Sequence, residues 1–350
     1  MAPVVAALRR RPDVELRLCA SGQHRELVAP VEDLFHLAPD LDLGLMRPDQ
    51  ALNALASEAL AAFDLVLAAE APDWLLVQGD TTTAMTAALA AFHRRVRVGH
   101  VEAGLRTGDL SRPFPEELNR RVIDLAAAAL FAPTRRAVTA LRGEGAAAER
   151  IHLVGNTAVD ALRLLPREAE VPGDRTEVLI TVHRRESFGE PLRGIFAGLR
   201  RLAERFPEVR WVYPVHRNPN VAGPARELLA GLPNLELHDP FDYAELVRRL
   251  ARSRFVLTDS GGLQEEAPVF GKPVLVLRET TERPEGVEAG VAKLVGIEEE
   301  SIIAAATRLL TDEDVYRAMA RPLDLYGDGQ AGERIAAILT GEPWTPFAPP

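Results

Sequence analysis

The sequence predicts an α/β protein of two domains, each built on a parallel sheet. Three observations carry this. Short runs rich in Val, Leu and Ile alternate with longer amphipathic or alanine-rich segments along almost the whole chain. A polar stretch, residues 166–177, holds Pro166, Pro172 and Gly173 and separates two such series. The length of 350 residues suits two domains of ordinary size. The expected domains are 1–166 and 171–325, with a helix at 329–341 returning to pack on the first. Two such domains are expected to face each other across a cleft.

The elements follow in order. Val4, Val5 and Leu8 mark a helix stopped by Pro12. Residues 15–19 read as a strand, which places Cys19 as a buried, inert thiol. A helix before the first strand is odd in a βαβ series, as if the chain began mid-motif. Residues 36–49 read as loop and Gln50–Glu70 as an alanine-rich helix. Strands follow at 73–78, 95–101, 129–131 and 151–154, with helices capped by Thr81 and Thr134 and one opened by Pro115. The second series has strands at 178–182, 210–215, 235–238, 255–258, 274–277 and 292–295. Its helices are expected at 191–205, 243–253, 263–270, 301–310 and 315–320, with 331–339 to follow.

Composition narrows the function. Hydrophobic residues make up 47% of the chain, enough for large cores, and the net charge of −10 argues against a nucleic-acid surface. With one cysteine, no apolar run read as membrane-spanning and no signal peptide, the chain suits a reducing, cytoplasmic setting without membrane contact. There is no metal-ligand spacing, no dinucleotide fingerprint and no P-loop.

Polar residues gather where strands end: Asp80, Glu102, Asn156, His183, His216 and Asp259. Ligands of open parallel sheets bind there. Asp80, Glu102 and Glu116 form a carboxylate group suited to holding or moving protons. Asp80 and Glu116 also have readings as a helix cap and a helix-start charge; Glu102, between Val101 and Ala103-Gly104, has no capping reason. Arg106, Arg112, Arg120 and Arg121 surround them, to pair with the acids or to meet a diphosphate. His216, before Asn218-Pro219, is placed to donate to a leaving phosphate; His183 reads the same way. The stretch Phe255–Lys272 reads as strand, small-residue turn and helix. Gly261 and Gly262 are expected to permit positive φ and close approach of an anion. Glu265 and Glu266 crowd that site, which suits a ligand carrying both phosphates and sugar hydroxyls. An ordinary βα turn is the other reading.

Together the motifs resemble the non-hydrolysing UDP-N-acetylglucosamine 2-epimerases. They are GQHREL (22–27), QGDTTT (78–83), GHVEAGLRTGD (99–109), RPFPEELNRR (112–121), VGNTAVDAL (154–162), TVHRRESFG (181–189), YPVHRNPNV (213–221) and TDSGGLQEEAPVFGKPVLVLRETTERPEG (258–286). The resemblance implies a GT-B glycosyltransferase-like fold and reversible conversion of UDP-GlcNAc to UDP-ManNAc through 2-acetamidoglucal. It implies Asp80, Glu102 and Glu116 as catalytic carboxylates and His216 as the histidine meeting the departing UDP. It implies Ser260, Gly261 and Gly262 at the diphosphate, Glu266 at the ribose, and Arg120, His183 and Arg283 as further substrate-binding residues. It implies a homodimer and no metal or nicotinamide.

Two departures follow. The family opens with a strand that would precede Met1, so an unfilled position is expected in the first sheet, with a misassigned start codon as the suspected reason. The family's allosteric site matches Gln23 and His24, but its arginine and histidine fall at Glu58 and Val247, leaving that function without two residues. The alternatives are a glycosyltransferase using a UDP-sugar, which has no need of the three acids, a hydrolysing epimerase, and a non-catalytic UDP-sugar-binding protein.

Overall fold

The computed structural model describes residues 1–22, 32–47, 50–165, 176–184 and 187–350. The chain divides into two compact units, one of residues 1–164 with 326–349 and one of residues 165–325 with Pro350.

In the first unit β3 (Trp74–Gln78), β4 (Arg97–Val101), β5 (Ala129–Ala132) and β6 (Ile151–Leu153) form a parallel sheet in that order. Both faces of this sheet are covered. Leu130 and Ala132 point into one apolar cluster, Ala129 and Phe131 into another, as strand alternation requires. Gly99 is needed for packing, since a methyl group there would lie 2.6 Å from Leu76 Cδ2. The helix Ala331–Thr340 packs against the first helix, Ala2–Arg9, within this unit. Its first turn is pinned by Asp160, which accepts from Gly332 N at 2.7 Å.

Three expectations need correction here. The first expected strand is reduced to β1 (Cys19–Ala20), which pairs only with β2 (Leu41–Asp42), inside the stretch read as loop, in a separate two-stranded sheet. Residues 14–18 are not assigned to a strand, because the pairing with β2 reaches only Cys19 and Ala20. Cys19 is exposed rather than buried, because its small sheet leaves it open. The helix Leu52–Glu70, 19 residues long, has the length and apolar composition of a membrane span, contrary to the sequence reading. Its stripe Leu55, Ala59, Phe63 and Leu67 is buried in the core of the unit, as the 3.6-residue period of a packed amphipathic helix demands.

The second unit carries a six-stranded parallel sheet of β7 (Glu177–Thr181), β8 (Arg210–Pro214), β9 (Leu235–His238), β10 (Phe255–Thr258), β11 (Val274–Val276) and β12 (Ala292–Leu294). The order is β12-β11-β10-β7-β8-β9. The first strand of the unit is therefore central, and the order reverses between β7 and β10. At such a reversal the loops leave in opposite directions and open a crevice beyond the strand C-termini. Val178 and Ile180 face one core cluster and Leu179 the other; Phe255, Leu257 and Val256 divide in the same way.

The helix after β10 is not continuous. It runs Gly261–Glu266 and then tightens to a 3-10 turn, Ala267–Phe270, where Pro268 lacks the donor for an α-helical bond. Gly271 closes it at φ +63°.

Candidate active site

In the first unit the site is built from strand ends. After β3 the chain turns at Gly79, φ +72°, and presents Asp80. After β4 comes Glu102 at φ +66°. A glutamate in the left-handed region is strained by about 1 kcal/mol or more, and such strain is kept where surrounding structure enforces it. Here the flanking residues do so: Ala103 N donates to Phe131 O at 3.1 Å, and Gly104, φ +83°, has no room for a methyl group beside Ala137 O. Glu102 Oε1 accepts from Asn156 Nδ2, after β6, at 3.3 Å. Its Oε2 would lie 3.7 Å from a methyl group placed on Gly79. Glu102 thus stands beside the turn that carries Asp80.

Glu116 opens the helix Glu116–Ala126, and Arg120 lies one turn further on the same face. Arg120 donates to Asp80 and lies 3.3 Å from Glu117. Asn119 Nδ2 donates to Asp80 O at 2.9 Å. These bonds tie the Glu116 helix to the Asp80 turn, so Asp80, Glu102 and Arg120 come together, with Glu116 one helical turn before Arg120. The half-buried Glu116 carboxylate has no partner among the described residues, and neither does the buried Arg120 Nε.

Sequence reasoning missed the layer beneath. Glu117 is fully buried and accepts from Thr107 N at 3.1 Å and Gly108 N at 3.3 Å, holding the loop before the helix. The pair Glu116-Glu117 at a helix start was the available signal; one acid faces out and its neighbour faces in. Arg106 pairs with Asp124 and Glu144, at 2.6 and 2.7 Å. Arg121 pairs with Glu117.

In the second unit the strand-order reversal supplies the site. Asp259, fully buried after β10, accepts on Oδ2 from His183 N at 2.7 Å and Arg184 N at 2.8 Å, after β7. His183 Nδ1 lies 3.0 Å from Asp259 Oδ1, and its ring stacks on His216 with centroids 5.7 Å apart. His216 Nδ1 accepts from Asn218 N at 3.1 Å, which leaves the neutral ring's proton on Nε2. Burial, then the neighbouring His183, lower the His216 pKa, favouring that neutral form.

Ser260 caps the short helix, but Gly261 and Gly262 do not take positive φ as expected, because both already lie in its right-handed first turn. Gly261 gives room to another group: a methyl group there would sit 3.1 Å from the Arg283 guanidinium, which would have to shift by a few tenths of an ångström. Arg283 donates to Glu265 at 2.8 Å and lies 3.0 Å from Glu282. Glu282 also meets Arg278 and Arg184; although burial opposes it, these arginines pull its carboxyl down to about 2. The two glutamates after the turn therefore differ. Glu265 is an ion-pair partner, whereas Glu266, 7% exposed, receives among the described residues only the Tyr243 hydroxyl at 3.1 Å. Burial pushes Glu266 up to about 8.

Gln23 and His24 lie outside the described residues. Glu58 pairs with Arg47 at 3.3 Å, and Val247 is buried. Among the described residues no group of three or more His, Cys, Asp or Glu could hold a metal ion.

Comparison with known proteins follows the same lines. Residues 6–340 match the family model described as UDP-N-acetylglucosamine 2-epimerase. The UDP-N-acetylglucosamine 2-epimerase of Bacillus subtilis is 45% identical, over 97% of this chain and 91% of its own. The crystal structure of UDP-GlcNAc 2-epimerase from Neisseria meningitidis bound to UDP-GlcNAc is similar at TM-score 0.92 and 38% identity, covering 98% of this chain and 96% of that one. The glycosyltransferase SnogD from Streptomyces nogalater, 16% identical with TM-score 0.58 over 97% of this chain and 94% of its own, shares the fold alone. The fold is α/β, with two Rossmann-like units of the GT-B type, and the chain belongs to the UDP-N-acetylglucosamine 2-epimerase family.

Proposed function

We propose that this protein interconverts UDP-N-acetylglucosamine and UDP-N-acetylmannosamine. One observation carries the reading: Glu102 is held in a strained conformation beside Asp80, within a group that also holds Glu116 and Arg120. A glycosyl transfer has no need of three such acids, whereas inversion at C2 needs a base on one face and an acid on the other. In the first half-reaction a carboxylate takes the C2 proton. The C–H electron pair forms the C1=C2 double bond as the C1–O bond breaks in the anti sense, giving 2-acetamidoglucal and UDP. In the second, UDP oxygen adds to C1 and a proton is delivered to the opposite face of C2.

The second unit supplies the leaving-group chemistry. His216, neutral with its proton on Nε2, donates to the phosphate oxygen that departs. Ser260, Gly261 and Gly262 receive the diphosphate, with His183 and Arg283 alongside, and Glu266 with Tyr243 receives the ribose hydroxyls. Arg120, with its buried and unmatched Nε, contacts substrate in the first unit. Gln23 and His24 are proposed only as remnants of an effector site. The test is NMR of UDP-GlcNAc in D2O: deuterium entering C2 together with UDP-ManNAc supports the reading, and transfer without C2 exchange overturns it.

We propose further that the protein is a homodimer. Leu65, Phe92 and Leu125 are 71%, 58% and 78% exposed on successive packed helices of one unit, an apolar surface suited to a second copy. A monomer mass by light scattering at micromolar concentration overturns this.

A further inference from the structure

We infer that His100 and Asp124 form a buried charged clamp that positions both turns bearing Asp80 and Glu102, with His100 carrying protons on both ring nitrogens. No reacting atom touches either residue; they are positioning residues, and their catalytic meaning rests on the epimerase reading above.

The argument is one of donors and acceptors. His100 is fully buried in β4. Its Nε2 lies 2.9 Å from Gly79 O, and a carbonyl oxygen can only accept, so Nε2 carries a proton. Its Nδ1 lies 2.5 Å from Asp124 Oδ1. The Asp124 carboxylate is kept ionised by the Arg106 guanidinium, which stays charged and faces it in a buried ion pair. Arg106 NH2 donates to Asp124 Oδ2 at 2.6 Å. The carboxylate therefore accepts on both oxygens, and Nδ1 also carries a proton. A neutral imidazole has one N–H and would leave one of these two acceptors facing a lone pair, which is costly in a buried site.

The consequence for the site is geometric. Gly79, whose carbonyl His100 holds, is the residue immediately before Asp80. Gly104 N donates to Asp124 Oδ2 at 3.3 Å, two residues after Glu102, while His100 itself lies two residues before it. One carboxylate thus anchors both sides of the strained Glu102 and, through the imidazolium, the Asp80 turn. The charges close the set: Asp124 faces His100 and Arg106, and Arg106 faces Glu144. A displacement of about 1 Å in a catalytic group can cost about a hundredfold in rate.

The test has two arms. Nitrogen-15 NMR of histidine-labelled protein reads the charge state in the native chain, without an assay. The expected result is one histidine with protons on both ring nitrogens, lost in His100→Gln. A neutral tautomer at His100 overturns the clamp. In the kinetic arm, His100→Gln is expected to lower kcat at least about tenfold while KM for UDP-GlcNAc and binding of UDP stay within about twofold. Unchanged kcat in a folded variant overturns the positioning role. If the variant does not fold, the NMR arm on the parent still decides. If the parent itself does not turn over UDP-GlcNAc, the functional reading fails while the NMR result stands.

Discussion

Asp124 and Glu266 are both carboxyl groups almost removed from water, one in each unit, 6% and 7% exposed. Their neighbours drive them in opposite directions. For Asp124 burial favours the neutral form, but His100 and Arg106 overcome it and the pKa falls. For Glu266 burial has only the Tyr243 hydroxyl against it and Glu265 beside it, and the pKa rises to about 8. Burial alone therefore does not set the charge of an acid; what matters is whether cations go into the interior with it. The first unit keeps a fixed ionic layer beneath the turns that carry Asp80 and Glu102. The second keeps a carboxyl that is neutral at pH 7, as its proposed role at sugar hydroxyls beside a diphosphate requires.

The sharpest way to separate acids that react from acids that hold is Glu102→Gln. Glutamine keeps the size and the Asn156 contact but cannot take a proton. Turnover and C2 exchange are expected to fall by about 10²–10⁴-fold, with UDP binding and thermal stability nearly unchanged. If the variant instead loses stability and keeps its specific rate, Glu102 belongs with Asp124 in the scaffold.

Asp124→Asn attacks the comparison from the other side. Removing this carboxylate leaves the charges of His100 and Arg106 buried without it, a change expected to cost about 3–5 kcal/mol. Chemical denaturation reads the loss. The sign with pH is fixed by the lowered pKa: the stabilisation is present above the unfolded value of about 3.9 and is lost as pH falls through the lower folded one. A cost under about 1 kcal/mol, the range of exposed pairs, sinks the idea of an ionic anchor.

Much of this was legible in the sequence, and the limits have physical reasons. Apolar strand runs and their polar ends mark Asp80, Glu102, His216 and Asp259, because a sheet buried on both faces leaves only strand ends for chemistry. The helix Pro219–Leu229 was not legible, since Gly223 and Pro224 argue against one; it forms with Pro219 in its first turn and Asn218 as its cap. Gly261 and Gly262 were read for backbone freedom, whereas both take right-handed helical φ and Gly261 lies close under Arg283. His100 and Asp124 were invisible for a different reason. They are 24 residues apart, and only the pairing of β4 with its neighbours and the seating of the following helix brings them into contact. Sequence spacing identifies residues that act at the surface of an element more readily than partners that meet beneath it.

The smallest expected effect concerns Glu266→Gln. The folded pKa of Glu266, about 8, lies above its unfolded value of about 4.3. The parent therefore holds the full contribution of the neutral carboxyl below about pH 4 and loses it progressively as pH rises toward about 8. Glutamine has nearly the same shape, cannot ionise, and can still accept from Tyr243. The variant should match the parent at about pH 4 and exceed it increasingly as pH rises toward about 8–9, read by urea denaturation across the range. Parallel pH profiles for the two proteins would mean that Glu266 is already ionised in the folded state. Both buried acids would then be charged, and the contrast between a fixed ionic layer and a neutral carboxyl would fail.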